Sequence, residues 1–494
     1  MGVPGDLSDL RRPANDDGAA EAPAPEEPLP PPSRSGPTIN TVVALGLAVV
    51  GLRLGLVPLH DNSFFTHLAT GRLILDRGAI PRTDPYSFTA FGDPWTVQSW
   101  GASVVYASVE RVAGLLGIRI LVAVCTAGLV LLTWRLTRPA HQLLGRLVLA
   151  VLAVGIGATF WVERPLLFGL LFLFVALFAA EGDLDPRWLV PAMWLWVNMH
   201  GSFPLGLAAL GTLAVGRLLD REDARTEFRA LGWAAVGTVL GAVNPLGYRL
   251  LVFPLELLER REAFSKIVEW QPPTWGSWAE RFFALQLLLA VVLVVTRGRT
   301  WRAALPLVVF GLAAVTSLRN IPPASLVLLP GMALGLAGLG SIDGGRRVPI
   351  LRPAVAAFGV LALVVAGVGV IQVDTDLVDY PVASAEWMRD QDLLDLDARV
   401  VSRDFVGNYL EVRYGPDQVR AYFDDRVDMY PLQVVRDYSS LLDEDGDYAG
   451  VLDRTRATAV LWDRDSDFGR WLERTSAWQV VHRDKDWLVA VPAD

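Results

Sequence analysis

Apolar residues recur along this chain in blocks of about 15 to 21, and this repetition constrains the fold more than any other feature. A helix of that length crosses, or nearly crosses, the ~30 Å hydrocarbon core of a bilayer. By length we place eleven crossings, at residues 39–59, 118–134, 145–161, 166–181, 188–200, 202–218, 230–246, 282–297, 303–318, 322–340 and 353–371. The sequence therefore predicts a polytopic α-helical membrane protein with about eleven transmembrane helices.

The chain divides into three predicted regions. Residues 1–38 are rich in Pro, Ala, Asp and Glu, and we expect a disordered cytoplasmic N-terminus because such a segment buries too little apolar surface to order itself. Residues 39–373 form the membrane body, with a large first outer loop at 60–117. Residues 374–494 contain short alternating runs such as 399–402, 459–462 and 487–491, between helical stretches near 383–390 and 468–475. That pattern predicts a small α/β domain.

Charge and cysteine content exclude several classes of function. Residues 374–494 hold 27 acidic and 14 basic side chains, out of 53 and 44 in the whole chain, so the acidic excess belongs to the C-terminal region. An acidic soluble face argues against nucleic-acid binding, which requires the opposite sign. The single cysteine, Cys125, lies inside an apolar block, so neither a disulfide framework nor a cysteine-based metal site is available.

The arginine-rich loops suggest an orientation. If the N-terminus is cytoplasmic, three short loops fall on the inner side and carry three arginines each: Arg135, Arg138 and Arg146; Arg297, Arg299 and Arg302; Arg346, Arg347 and Arg352. Two inner turns do not follow the rule, being neutral at 217–229 and acidic at 181–185. An odd number of crossings then places the C-terminal region outside. The expected location is the inner, cytoplasmic membrane of a bacterium, since Arg greatly outnumbers Lys.

Residues 99–117 are apolar enough to enter the bilayer but carry Glu110 and Arg111 in their middle. We interpret them as an interfacial helix that closes the first outer loop. If they crossed, every later assignment of sides would invert.

This topology brings the polar residues that could do chemistry to one face. Polar groups at membrane depth cost about 2.5–3.5 kcal/mol each on insertion scales unless they are paired or face a wet cavity, so they are functional candidates. The candidates on the outer face are Asp61, His67, Asp84, Glu163, Arg164, Asn198, His200, Asn244, Glu269, Arg319 and Asn320. Their convergence predicts one outward-facing cavity.

Six segments in this order resemble the GT-C superfamily of glycosyltransferases, and more narrowly an uncharacterised bacterial branch related to protein-mannosyltransferase and lipid A sugar-transferase types. They are Asp61 with His67-Leu68-Ala69-Thr70-Gly71 and Ile80-Pro81-Arg82-Thr83-Asp84-Pro85, Trp196-Val197-Asn198-Met199-His200-Gly201, Asn244-Pro245-Leu246-Gly247, Arg319-Asn320-Ile321-Pro322, and Tyr422-Phe423-Asp424-Asp425-Arg426-Val427-Asp428-Met429-Tyr430. The resemblance covers about residues 60–430. One departure is Gln98-Ser99-Trp100, where the family pattern has His-Glu-Trp, which puts an acid or metal role at that spot in doubt.

The resemblance implies a transferase that moves a sugar from a polyprenyl-phosphate donor to a lipid, glycan or protein acceptor outside the membrane, with inversion. Asp61 is the expected general base, because an acceptor hydroxyl needs a carboxylate to remove its proton. Arg164, Arg319 and His200 are the expected donors to the departing phosphate. Asp84 is expected to support the base, orient the acceptor, or hold a divalent cation such as Mg or Mn with Asp61.

Each candidate also has a structural interpretation. Asp61 could only cap an interfacial helix, and Asp84, before Pro85, is a ready turn former. Arg164 and Arg319 could anchor to headgroups. The residues expected to support the site are His67, Asn198, Asn244, Asn320 and Glu269. Glu269 and four residues of the C-terminal region are expected to be either structural or on the acceptor side: Asp424, Asp425, Arg426 and Asp428.

Two rival functions remain open. A lipid or glycan transporter would also gather polar residues in a cavity, but it usually shows two similar halves with charges near the membrane midplane. A non-catalytic envelope-assembly scaffold would present the C-terminal region instead.

Overall fold

The computed structural model describes residues 36–264, 267–298 and 300–493. The predicted disorder of residues 1–38 falls almost entirely outside this range, as does Arg299. Up to residue 371, the described residues form fourteen α-helices: α1 Ile39–Gly55, α2 Asn62–Arg77, α3 Trp100–Leu136, α4 Leu143–Phe160, α5 Leu166–Ala180, α6 Leu189–Met199, α7 Pro204–Leu219, α8 Arg225–Leu240, α9 Arg249–Glu259, α10 Arg261–Phe264, α11 Trp278–Thr296, α12 Trp301–Thr316, α13 Ile321–Gly335 and α14 Arg352–Ile371.

The helical membrane character that the apolar blocks predict is confirmed. Within the described residues, four helical segments are long and apolar enough to cross a bilayer: Trp100–Ala140, Leu143–Phe160, Trp278–Thr296 and Pro349–Ile371. Shorter apolar helices of 10–17 residues are Ile39–Gly55, Leu166–Ala180, Pro204–Leu219 and Trp301–Thr316. A helix lies at each of the eleven segments placed from the sequence, while the number that cross stays a prediction.

Helix α3 is longer than predicted, because it joins the interfacial segment to the following crossing. The two parts meet at Gly114, whose φ of 63° is left-handed and suits a residue without a side chain. Before this kink, Glu110 pairs with Arg72 of α2, and Arg111 pairs with Asp76 of α2. The charges that made this segment a poor crossing are therefore neutralised by α2, which lies alongside it.

The two inner turns that break the arginine rule supply partners for arginines of other loops. Arg302, at the start of α12, lies 2.8 Å from Glu181 and 3.3 Å from Glu227. Arg135, at the end of α3, lies 3.5 Å from Asp183. The two turns thus lie at the same end of the helix bundle as these arginines. We call this end of the bundle the arginine end. The opposite end, where α1 stops and α2 begins, is called the site end.

Helices α1 and α3 approach closely through small residues. Gly51 and Gly55 lie four residues apart on α1, and an added Cβ would lie 2.6 Å from the Cα of Ala127 and 2.4 Å from the Cα of Ala123, respectively. Such small-residue pairs let two membrane helices pack backbone to backbone. This contact sets the position of the loop after α1, which carries Asp61.

Replacing Gly55 with Ala is expected to lower the melting temperature of the detergent-solubilised protein, since the new methyl group overlaps backbone atoms of α3. Overpacking of this kind costs about 1–3 kcal/mol. Gly211→Ala on α7 is the matched control, because nothing lies within 4 Å of its added Cβ. Equal melting temperatures for the two variants would contradict this account of the α1–α3 contact.

The C-terminal region is a mixed α/β structure built from α15 Val382–Asp390, β1 Val400–Ser402, α16 Asp404–Tyr414, α17 Leu432–Leu442, α18 Tyr448–Thr455, β2 Ala459–Asp463, α19 Asp467–Arg474, β3 Trp478–Arg483 and β4 Trp487–Pro492. Its sheet has the order β1-β2-β4-β3, with β1 parallel to β2 and the other pairs antiparallel. The alternating runs noted in the sequence coincide with β1, β2 and β4.

This region packs directly on the membrane body. The ring of Tyr380 lies between Phe65 of α2 and Phe405 of α16, at centroid distances of 5.5 and 5.4 Å. Leu59, just after α1, pairs in parallel with Thr375. The C-terminal region therefore lies at the site end, against the N-terminal half of α2.

Candidate active site

Asp61 is held at the N-terminus of α2 by contacts with α2 itself and with the loop after α4. Its Oδ1 accepts a hydrogen bond from the backbone N–H of Ser63 at 3.0 Å, and its Oδ2 accepts one from Nε of Arg164 at 2.5 Å. The backbone N–H groups of His60 and Asp61 both donate to Oε1 of Glu163, at 2.5 and 2.8 Å. Asp61 thus serves as a helix cap, and it is also paired with a cation in a nearly buried position.

Arg164 joins two carboxylates that are far apart in sequence. Besides Asp61, its guanidinium pairs with Glu269, from the turn that precedes α11. Arg164 keeps 28% of its side chain exposed, so part of the guanidinium can still meet a ligand. Both partners fix its orientation, which lowers the entropy cost of binding an anion there.

Arg319 is a cation of this site that no carboxylate of the described residues neutralises. It lies in the short turn between α12 and α13, with its guanidinium 4.2 Å from the ring centroid of Trp270. Among the described residues no carboxylate pairs with it. Burial, and secondarily the charge of Arg164, lower the pKa of Arg319 to about 10, so it stays cationic at neutral pH. A partly buried, unpaired guanidinium is a strong position for an anionic ligand.

Two histidines lie close to these arginines. We call the region between Asp61, His67, Arg164, His200 and Arg319 the pocket, after the cavity that the sequence predicts. Burial, followed by the charges of Arg319, His67 and Arg164, lowers the pKa of His200 to about 3. Burial and Arg164 lower the pKa of His67 to about 4. Nδ1 of His200 accepts a hydrogen bond from the backbone N–H of Ser202 at 3.2 Å, which leaves the proton of the neutral ring on Nε2. His200 can therefore donate one hydrogen bond without carrying charge.

The structure does not bring Asp84 together with Asp61. Asp84 is fully buried, and its Oδ1 accepts a hydrogen bond from Arg426 of the C-terminal region at 2.6 Å. Arg426 also pairs with Asp424 at 2.5 Å and Glu411 at 3.2 Å. Asp84 thus belongs to a separate buried cluster that fastens the first outer loop to the C-terminal region.

The three predicted supporting asparagines satisfy backbone or ring groups near the site. Asn198 accepts a hydrogen bond from Nε1 of Trp100 at 3.0 Å. Asn244 closes the turn after α8 by accepting from the N–H of Leu246 at 2.7 Å. Asn320 donates to the carbonyl of Ala313 at 3.0 Å, which caps the end of α12. These contacts give the three asparagines local structural roles.

The predicted divalent cation does not fit the residues present. Among the described residues, no group of three or more His, Cys, Asp or Glu side chains is arranged to hold a metal ion. The carboxylate of Asp61 is instead paired with Arg164, and Asp84 lies in the other cluster. No step of the proposed reaction passes through a metal.

Sequence reasoning left Asp425 as either structural or on the acceptor side, and the structure places it beside the N-terminus of α2. Asn408 of α16 donates to its carboxylate and also to the backbone carbonyl of Asn62. Burial raises the pKa of Asp425 to about 7, while hydrogen bonds from Ser63 and Asn408 act in the opposite direction. The only sequence signal was the acidic run at 424–428, which does not reveal which carboxylate faces the site.

Comparisons with known proteins follow this geometry. No family model and no curated protein matches the chain. Among solved structures, the chain is similar to the apo oligosaccharyltransferase of Archaeoglobus fulgidus, with 12% identity and a TM-score of 0.47 over 85% of this chain and 69% of that one. It is also similar to ArnT of Cupriavidus metallidurans bound to undecaprenyl phosphate, with 14% identity and a TM-score of 0.37 over 92% of this chain and 97% of that one.

At TM-scores below 0.5 this likeness carries no site or reaction over to the chain. The chemistry below is therefore argued from the contacts of the chain itself.

Proposed function

We propose that this protein is a membrane glycosyltransferase that moves a sugar from a polyprenyl-phosphate donor to an extracytoplasmic acceptor, with inversion. One observation carries the proposal: among the described residues the guanidinium of Arg319 pairs with no carboxylate, and it lies close to His200 and to Arg164, the partner of Asp61. A site that combines an anion position with a carboxylate, at the end of a membrane helix bundle, suits a lipid phosphate leaving group and a proton acceptor.

The cationic side of the pocket would hold the donor phosphate. When the bond between the anomeric carbon and the phosphate oxygen breaks, negative charge gathers on the phosphate. The guanidinium of Arg319 has no hydrogen-bond or carboxylate partner among the described residues, so its donors can meet that charge, and Nε2–H of His200 adds a neutral donor. Such preorganised donors stabilise developing charge without reorganising during the reaction.

Asp61 is the residue that we assign as the general base. The acceptor oxygen forms a bond to the anomeric carbon, its proton passes to Asp61, and the polyprenyl phosphate departs with the electrons of the broken bond. Attack and departure on opposite faces of the sugar give a single inversion. Arg164 contacts Asp61 directly and thus fixes the base relative to the cationic side.

The transporter alternative is less well supported by this arrangement. The described charged groups of the pocket lie at the site end, in the loops after α1, α4 and α12, and a second large set lies at the arginine end. Transporters usually place their site near the midplane, between broken helices.

In the proposed enzyme, Asp84 has a structural role through Arg426.

Replacing Arg319 with Ala is expected to weaken the binding of undecaprenyl phosphate about 10- to 100-fold, the size of a hydrogen-bonded contact to a charged group. Binding to the purified protein in detergent can be followed through tryptophan fluorescence, because Arg319 stacks on Trp270. Arg319→Lys should recover part of the affinity, since it restores the charge but not the fork of donors.

Arg281→Ala is the matched control for this measurement. Arg281 also stacks on a tryptophan, with its guanidinium 5.4 Å from the ring of Trp278, but it lies outside the pocket. If Arg281→Ala and Arg319→Ala bound undecaprenyl phosphate equally well, Arg319 would not be the phosphate site. Wild-type protein that neither binds this lipid nor transfers or hydrolyses any polyprenyl-phosphate hexose would overturn the proposed function itself.

A further inference from the structure

Asp425 is held in a fixed position by a fully buried asparagine. Oδ1 of Asn408 accepts hydrogen bonds from Oγ1 of Thr66 at 2.8 Å and from the backbone N–H of Asp425 at 3.2 Å. Its Nδ2 donates to the carbonyl of Asn62 at 3.2 Å and to the Asp425 carboxylate. All the hydrogen-bonding groups of this amide are thus used to fasten Asp425 to α2, which begins at the Asp61 cap.

Asp425 differs from the other carboxylates around the pocket in its partners. Asp61 and Glu269 are paired with Arg164, and Glu163 accepts from two backbone N–H groups. The partners of Asp425 among the described residues are neutral donors, the Asn408 amide and the Ser63 hydroxyl. As a whole residue, Asp425 is only partly buried.

Arg426, the next residue, does not neutralise Asp425. Its guanidinium points into the buried cluster, where it pairs with Asp424, Glu411 and Asp84. Successive side chains of this loop thus face opposite ways, one into the core of the C-terminal region and the other towards the pocket.

Ser63 connects the two pocket carboxylates. Its backbone N–H donates to Asp61, and its side chain contacts Asp425. One residue therefore separates the proposed base from a second hydrogen-bond acceptor. This arrangement suits a molecule that bears more than one hydroxyl group.

We propose that Asp425 binds a second hydroxyl group of the acceptor, so that the acceptor is a neutral polyhydroxyl compound, such as a glycan, and the C-terminal region supplies part of the active site. This inference rests on the proposed function. One hydroxyl attacks the sugar beside Asp61, and its neighbour donates a hydrogen bond to Asp425. Asp404, which also acts on Asp425 electrostatically, makes this side of the pocket unfavourable for an anionic acceptor.

The charge state of Asp425 makes acceptor binding depend on pH. Burial and Asp404 raise its pKa, whereas Ser63, Asn408 and Arg164 lower it, with a net value of about 7. The carboxylate is ionised above pH 7 and protonated below it. Since hydrogen bonds to an ionised acceptor are about twice as strong, the polyol acceptor should bind better at pH 8 than at pH 6.

The test uses the purified full-length protein with undecaprenyl-phosphate hexoses as donors and two probe acceptors, glycerol and 1-propanol. Only glycerol offers a second hydroxyl group. Asp425→Asn should raise KM for glycerol about tenfold, the loss of one charge-assisted hydrogen bond, and leave kcat within about twofold. Kinetics with 1-propanol and hydrolysis of the donor by water should not change.

Asp428→Asn is the matched control. It lies in the same loop, is partly exposed, and has its pKa raised to about 6 by burial, but it interacts with Arg426, Arg260 and Asp424 rather than with Arg164. It should leave KM for glycerol unchanged. Ser63→Ala, which keeps the N–H to Asp61, is a second and milder test if Asp425→Asn folds poorly.

The outcomes separate this inference from the proposed function. A pH-dependent KM for glycerol in the wild type that becomes flat in Asp425→Asn supports the inference. Equal effects of Asp425→Asn on glycerol and 1-propanol, or no effect on either, overturn it while the transferase assignment stands. If the wild type neither transfers to these probes nor hydrolyses the donor, both fall.

Discussion

Asp61→Asn is expected to abolish sugar transfer, with a loss of about 10²–10⁴-fold, which is the usual contribution of a general base. Asn can still accept the hydrogen bond from the N–H of Ser63, and it is as good an N-cap as Asp, so α2 should keep its start. Arg164 keeps Glu269 as a partner. The variant therefore removes the proton acceptor while the pocket remains folded.

The measurement is the initial rate of transfer from an undecaprenyl-phosphate hexose, together with the melting temperature and the elution profile in detergent. Asp447→Asn is the matched control. Asp447 also caps a helix, α18, by accepting from the N–H of Gly450 at 3.1 Å, and it also pairs with an arginine, Arg454, at 3.0 Å. It lies in the C-terminal region and outside the pocket.

The same pair of variants distinguishes the rival functions. An envelope-assembly scaffold would tolerate Asp61→Asn as well as Asp447→Asn. A transporter would keep lipid binding and lose coupling at most. Full transfer activity in Asp61→Asn would rule out its role as the base.

Arg426→Met is expected to destabilise the protein by about 3–5 kcal/mol, the cost of leaving buried charges without their partner. Arg426 is the shared counter-ion of Asp84, Asp424 and Glu411, all of them buried. Two of these carboxylates belong to the C-terminal region, and Asp84 belongs to the first outer loop. The variant should therefore loosen that loop from the C-terminal region as well as lower the melting temperature.

The pH dependence of this destabilisation has a definite sign. Burial and the neighbouring Asp424 raise the pKa of Glu411 well above its usual value, whereas Arg426 lowers that of Asp424. In the wild type, the stability that Asp424 contributes is lost as pH falls through its lowered pKa. Without Arg426, the carboxylates must take up protons to stay buried, so the deficit of the variant should shrink as pH falls from 8 to about 5.

Melting temperatures in detergent at several pH values check this prediction. Arg420→Met, in the same segment, is the control, because Arg420 stacks on Phe91 at 3.8 Å and pairs with no carboxylate among the described residues. It should lower stability by no more than about 1 kcal/mol, the value of an exposed cation–π contact. A deficit for Arg426→Met that is equally small, or that grows in acid, would contradict the shared counter-ion account.

Much of the helical architecture could be predicted from the sequence, because the length of an apolar run directly reflects the thickness of the membrane core. Successive apolar runs cross the membrane in opposite directions, and this also predicted that Asp61, Arg164, His200 and Arg319 lie at one end of the bundle. The rule that inner loops are rich in arginine failed at the acidic turn 181–185, since Glu181 and Asp183 pair with arginines of other loops. Strand β3 was missed because its residues, Trp478–Arg483, do not alternate between apolar and polar: two valines stand together and are followed by His482 and Arg483.

The sequence did not indicate how the carboxylates divide. Asp84 and Asp61 stand in one outer loop and share a residue type, yet one pairs with Arg426 and the other with Arg164. Asp424 and Asp425 are adjacent, yet one lies in the buried cluster and the other beside α2. Each choice depends on a partner distant in sequence, which no local pattern encodes.

The sequence by itself determined that the chain is a bundle of apolar helices with polar residues gathered at one end, because hydrocarbon excludes unpaired polar groups and so dictates where they can lie. Only the tertiary structure decided which of those groups are neutralised and which stay available. Arg164 is paired twice, whereas Arg319 has a ring beneath it and no counter-ion among the described residues. That difference arises from three-dimensional packing, since the strength of a charge in a low-dielectric pocket depends on what lies within a few ångströms of it.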